Sequence, residues 1–138
     1  MISSSQSDIW RGGYFRFSEE EMRCKCGKCT GLPRHSFMVK LVALRSVLGF
    51  PMEVSSGYRC PAHNRTVSAT RSSSGPHTLG LAADIKVSRQ RAYDLIKEAM
   101  LLGFTGIGVN QKGDSRFVHL DTLPEGQSPT LRRNIWSY

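Results

Sequence analysis

No apolar stretch in this chain of 138 residues approaches the ~20 that a membrane-spanning helix requires. Lys40 and Arg45 break one apolar region and Lys97 and Glu98 break the other, so no membrane span is expected. The opening MISSSQSDIW has neither the charged n-region nor the apolar core of a secretory signal, which points to synthesis in, and initial retention by, the cytoplasm. Acidic residues are scarce: 11 Asp and Glu stand against 19 Lys and Arg, a formal net charge of +8. Internal repeats and interdomain linkers are absent. With 39% hydrophobic and 22% charged residues, the composition lies outside that of disordered chains. The length is that of one ordinary domain able to bury a core. The expected organisation is a loose N-terminal tail over residues 1–13 and a single domain over 14–138. Also missing is HExxH, the pattern that places two zinc-binding histidines on one helical face.

A surplus of positive charge attracts nucleic acids and anionic cell envelopes alike, or simply keeps a surface solvated. The basic residues are scattered, with one adjacent pair at Arg132 and Arg133. A nucleic-acid reader would concentrate them in a stripe or interleave them with aromatics. No nucleic-acid partner is therefore expected, and attraction to an anionic envelope is the favoured use of the charge.

What the chain does have is two short segments, HTLGLAAD (His77 to Asp84) and FVHLD (Phe117 to Asp121). Together they offer two imidazoles and a carboxylate. A catalytic zinc ion is commonly held by three such groups, with a fourth position left for water. His77, Asp84 and His119 would fill the three places. The pKa of the water then drops from ~15.7 to about 7, and the metal polarises the carbonyl under attack. Leu81 to Val87 reads as a strand, and a turn through Gly80 would bring His77 back beside Asp84. In the second segment alternation puts His119 and Asp121 on one strand face, about 7 Å apart. A lone strand histidine is more often a satisfied structural residue than a ligand. The metal reading rests on the three residues occurring together.

Cysteine is sparse but clustered. Cys24, Cys26 and Cys29 lie in CKCGKC, and Cys60 follows far along the chain beside Arg59. Four thiolates suffice for a tetrahedral structural zinc, with Gly27 easing the turn round the ion. The CxC spacing is tighter than the usual CxxC. Two disulfides or four reduced thiols are the competing readings.

The periodicity predicts a mixed fold. Phe37, Leu41, Leu44 and Leu48 recur at helical spacing, with Ser36 as N-cap and Gly49 as stop. A second helix begins after Ser88, carries Ala92, Leu95, Ile96, Ala99 and Met100 on one stripe, and ends at Gly103. Strands are expected at 14–18, Met52 to Ser56, Leu81 to Val87, Gly106 to Val109 and Arg116 to Asp121. Arg65 to Gly75 reads as a surface loop next to His77, a candidate lip over a substrate. His35 and His63 are expected to be exposed or structural. The class is α+β: a small antiparallel sheet with the metal on one face and helices packed on the other.

The segments SSGYRCPAHN (Ser55 to Asn64), GPHTLGLAADI (Gly75 to Ile85), GFTGIGV (Gly103 to Val109) and RFVHLD (Arg116 to Asp121) make the chain resemble the zinc D-Ala-D-Ala peptidase family, which cuts bacterial cell-wall peptides. The likeness spans about residues 17 to 138. The closing WSY is typical of phage-encoded relatives. The resemblance implies a hedgehog/DD-peptidase-like fold, zinc on His77, Asp84 and His119, and Arg59 in the substrate cleft, where a planar guanidinium suits a substrate carboxylate or an oxyanion. In several branches an acidic residue three positions before the last histidine is the general base; here that position is Arg116. The remaining candidates are Asp121 and Asp114, and Asp121 could instead hold an imidazole in its ligating tautomer.

The implied function is a zinc-dependent peptidoglycan peptidase acting on stem peptides, either an endolysin-type endopeptidase or a D-Ala-D-Ala carboxypeptidase, in phage or prophage lysis. Its cofactor is one catalytic Zn2+, with a second structural one if the cysteines bind metal. Its partners are stem peptides and the anionic envelope, and a monomer is expected. Such a protein would be made in the host cytoplasm and reach the wall after release or from a virion. Two alternatives stay open. One is a metal-containing binding module without peptidase activity, which Arg116 would permit. The other is a zinc-knuckle nucleic-acid binder, which would be indifferent to loss of His119 and steeply salt-dependent.

Overall fold

The structure is a computed structural model, and it describes residues 14, 16–68, 74–124 and 133–138. The tail expected at 1–13 lies outside the described residues. So do residues 69–73 of the candidate lip.

Ser18 opens a single-turn helix, α1 (Glu19–Met22), through a capping box: its Oγ accepts from Glu21 N–H at 3.2 Å, and Glu21 Oε2 accepts from Ser18 N–H at 3.4 Å. Among the described residues no strand is formed at 14–18, where one was expected. Tyr14 and Phe17 make one isolated bridge around Arg16, whose φ of 67° turns the chain back on itself and ends any extended run.

α2 (His35–Leu48) buries Phe37, Met38, Leu41 and Leu44, and Gly49 caps it in the left-handed region at φ 73°. Its start differs from expectation. Ser36 lies inside the first turn and Arg34 is the N-cap, without a side-chain bond. A tertiary contact sets this boundary, because Arg34 N–H donates to Gly80 C=O at 2.8 Å and so holds residue 34 in extended geometry.

β1 (Glu53–Ser56) is followed by α3 (Pro61–Val67), so the loop expected from Arg65 starts three residues later, at Ser68. Pro61 at the first helical position supplies a φ already suited to a helix. β2 (Ala82–Lys86) leads to α4 (Arg89–Leu101). That helix ends in a Schellman motif: Gly103 N–H donates to Met100 C=O at 3.2 Å and Phe104 N–H to Ala99 C=O at 3.0 Å. Of its predicted stripe, Ala92, Leu95 and Ala99 are buried and Ile96 packs against the core, whereas Met100 is 53% exposed.

β3 (Gly106–Asn110) and β4 (Phe117–Asp121) form a hairpin, and β5 (Asn134–Ser137) completes the sheet. The strand order is β1-β2-β4-β3-β5. Every pairing is antiparallel except that of β3 with β5, which is parallel and was not expected from the sequence. Val54, Ala83, Ile85, Ile107, Val118 and Leu120 turn to one side of the sheet, where α2 and α4 cover them in a single apolar core. Among the described residues no helix is long and apolar enough to cross a membrane.

Candidate metal centre

One transverse row of the sheet carries the centre. Ser56, Asp84, His119, Gly108 and Trp136 are successive partners across β1, β2, β4, β3 and β5. Side chains alternate along each strand, so this row faces away from the layer of Ile85, Val118 and Leu120. His77 comes from the turn before β2, which is closed by Gly80 N–H to His77 C=O at 3.3 Å and Leu81 N–H to Pro76 C=O at 3.1 Å. Gly80, at φ 73°, gives that turn its left-handed corner.

His77, Asp84 and His119 are buried and converge, with one potential ligand atom of each within 4.8 Å of the others. His77 Nε2 lies 3.3 Å and His119 Nδ1 lies 3.1 Å from Asp84 Oδ1. The outer nitrogens are held by acceptors. His77 Nδ1–H donates to Gly57 C=O at 2.7 Å, and His119 Nε2–H donates to Asp121 Oδ2 at 2.8 Å. Because a carbonyl and a carboxylate only accept, those nitrogens carry protons, and in a neutral ring the inner nitrogen is left to point a lone pair toward Asp84.

Electron-rich atoms so placed repel one another unless a positive charge sits between them. Burial holds His77 below its ordinary pKa, so its ring is poorly suited to supply that charge. For His119 burial acts downward too, but the hydrogen bonds to Asp121 and Asp84 outweigh it and bring the ring up to about 9. Burial alone would raise the Asp84 carboxyl; the facing imidazoles of His77 and His119 overrule it and keep the group well below the usual range. A proton on His119 is one way to satisfy the cluster, and a divalent cation is the other. Two imidazole nitrogens and one carboxylate oxygen suit zinc, so the residues present fit the group.

Arg59 is bound on three sides: Nη2 to Asp84 Oδ2 at 3.0 Å, Nε to Ser56 Oγ at 2.9 Å and Nη1 to Asn64 Oδ1 at 2.9 Å. It lies beside the centre, as expected, but its charge is committed to Asp84 and leaves Oδ1 as the oxygen facing the histidines. Asp121 does not match the role of a proton acceptor. Its side chain is fully buried, with Oδ2 on His119 and Oδ1 accepting from Leu123 N–H at 3.1 Å. That is the tautomer-holding arrangement. Asp114 is exposed in the turn between β3 and β4, on the rim of a groove of about 740 Å³ that also includes Lys86, Arg89, Arg116 and Phe117. Among the described residues no bond connects Asp114 to the centre. Arg116 donates to Gly113 C=O at 3.0 Å within the same turn. His35 bonds Tyr14 at 2.6 Å, and neither it nor the half-buried His63 joins the group.

Several contributors carried no role in the sequence reading. Asn64 is buried and links Arg59 to Ser74 C=O, to which its Nδ2 donates at 3.2 Å. Trp136 lies across Gly108 and packs its ring 5.2 Å from that of His119. Tyr138 sits 5.1 Å from Phe117 farther along the same face. Asn64 and Trp136 did lie in segments singled out by pattern, but nothing in the spacing ties them to Arg59 or His119. The structure also brings Cys24, Cys26, Cys29 and Cys60 into a second group of potential ligands.

A family model described as Peptidase M15 matches residues 15–121. Comparison with curated proteins finds no match.

Proposed function

The chain belongs to the peptidase M15 family, and from that premise we propose that it is a peptidoglycan hydrolase cutting an amide bond in cell-wall stem peptides. M15 peptidases are zinc metallopeptidases. The observation that carries the reading is the convergence of His77, Asp84 and His119 on one point of the sheet face.

Zinc held by these three residues would polarise a scissile carbonyl and acidify water for attack at neutral pH. The protein's own part is preorganisation. Asp121 and Gly57 fix the two rings with their lone pairs inward, and Arg59 holds Asp84 by its outer oxygen. Trp136 walls one side of the site against His119. Burial keeps these supports rigid and excludes competing water.

The groove at the hairpin end of the sheet favours an endopeptidase over a carboxypeptidase. Lys86 and Phe117 stand two residues beyond Asp84 and His119 on the same face, and both line it. An open, cationic channel suits a peptide that continues past the cleaved bond and bears free carboxylates. The charge of +8 suits adsorption to an anionic envelope. Phage or prophage lysis is the setting we propose, with the enzyme acting on the wall after release from the cytoplasm or from a virion.

Mass spectrometry of fragments released from purified peptidoglycan tests the reading, with His119→Ala and a chelated sample alongside. New N-terminal D-Glu would identify an endopeptidase acting after L-Ala, and free D-Ala a carboxypeptidase. If the zinc-loaded protein releases nothing, the peptidase reading fails and a binding module takes its place.

A further inference from the structure

We propose that Cys24, Cys26, Cys29 and Cys60 bind a second zinc ion, a structural one, that clasps the 22–31 segment to the start of α3. This site is separate from the peptidase centre and does not rest on its activity.

The four sulfurs come from positions as far apart as 24 and 60, yet all lie within 4.8 Å of one another. Tetrahedral zinc with Zn–S bonds of ~2.3 Å places its sulfurs about 3.8 Å apart. Cys26 and Cys29 are 3.6 Å apart, close to that edge length and far from the ~2.05 Å of a disulfide. All four cysteines are free thiols in the structure. Four soft sulfur donors in a closed tetrahedron select zinc and leave no position for a substrate, which makes the site structural.

The backbone around them is turned to serve sulfur. Cys60 N–H donates to Cys24 Sγ and Lys28 N–H to Cys26 Sγ, both at 3.3 Å, and such bonds favour thiolate over thiol. Gly27, at φ 76°, makes the left-handed corner that lets Cys26 and Cys29 face inward together. The two segments are also pressed close: Tyr58 N–H donates to Met22 C=O at 2.8 Å, and a Cβ on Gly57 would lie 2.3 Å from that same oxygen. Only glycine fits there.

The clasp sits directly behind the peptidase centre. Gly57 C=O holds His77, and Arg59, adjacent to Cys60, holds Asp84. Tying residues 57–60 to the cysteine turn therefore fixes two supports of the first metal site from outside it.

The test is the metal content of the full chain, measured by mass spectrometry after expression with zinc, for wild type, H77A/H119A and C26S/C29S. The expected values are two zinc ions per chain, one and one. Cobalt(II) in H77A/H119A should show sulfur-to-cobalt charge-transfer absorption and tetrahedral ligand-field bands, and thiol reagents should react slowly until the metal is chelated. A wild type with one zinc that H77A/H119A loses would overturn the clasp and leave the peptidase centre standing. One zinc that H77A/H119A keeps would support the clasp and sink that centre instead. Iron in place of zinc, disulfides by mass, or four freely reacting thiols in H77A/H119A would each overturn the proposal. Should C26S/C29S fail to fold, H77A/H119A decides the matter, since it retains every cysteine.

Discussion

At the scale of single residues, His119 is the pivot, held by Asp121 on its outer nitrogen and facing Asp84 with its inner one. Removing a partner of this kind typically weakens metal binding 10–100-fold. Asp121→Asn should therefore lower zinc affinity by roughly 10–100-fold, measured by competition with a chromogenic chelator, while far-ultraviolet circular dichroism stays close to wild type. An unchanged affinity would remove Asp121 from the site. The proton on His119 sets a pH dependence as well. Its pKa is raised from 6.5 to about 9, so below that range zinc must displace a proton. Affinity should rise about tenfold per pH unit between pH 7 and about 9, then flatten. In the metal-free protein the sign reverses. The stability that His119 contributes is complete below pH 6.5 and is lost as pH rises through about 9, so the metal-free fold should melt earlier at high pH than near neutrality.

At the scale of elements, the sheet works because its two faces are assigned to different tasks by strand alternation. On β4, Val118 and Leu120 enter the core while His119 and Asp121 enter the centre, so a one-residue slip would exchange them. This pattern is legible in FVHLD, as is the turn through Gly80. The parallel strand β5 is not, because a four-residue segment separated from β3 by the whole of β4 has no local signal naming its partner. Its effect on the site runs through Gly108. A Cβ there would lie 2.6 Å from Trp136 Nε1, so only glycine lets the indole cross β3 to reach His119. Gly108→Val should destabilise the fold by about 1–3 kcal/mol in denaturant titration. In a Trp10→Phe background it should also redshift the emission of Trp136 as the ring is pushed into solvent. Unaltered emission would mean that the indole is not packed there.

At the scale of the whole molecule, a helical layer covers one side of the sheet and the polar centre occupies the other. Residues that build the centre come from five places: the 56–59 stretch at the end of β1, α3, the turn at His77, β2 and the β4–β3–β5 region. Buried polar groups need mutual satisfaction, and here Ser56, Arg59, Asn64, Asp84 and His119 form one connected chain of bonds. Such a network stiffens only when complete.

The amino-acid sequence by itself determined the α+β class, the two main helices, the core strands and the three residues that converge as candidate metal ligands. Each of these depends on local spacing: apolar periodicity, alternation, and a glycine turn of fixed length. Tertiary structure alone decided that Arg59 is bound to Asp84, that Arg34 and not Ser36 begins α2, and that Cys60 meets the cysteines of the 24–29 turn. Those outcomes depend on which distant segments come into contact, and hydrogen-bond partners across tens of residues leave no periodic trace in the chain.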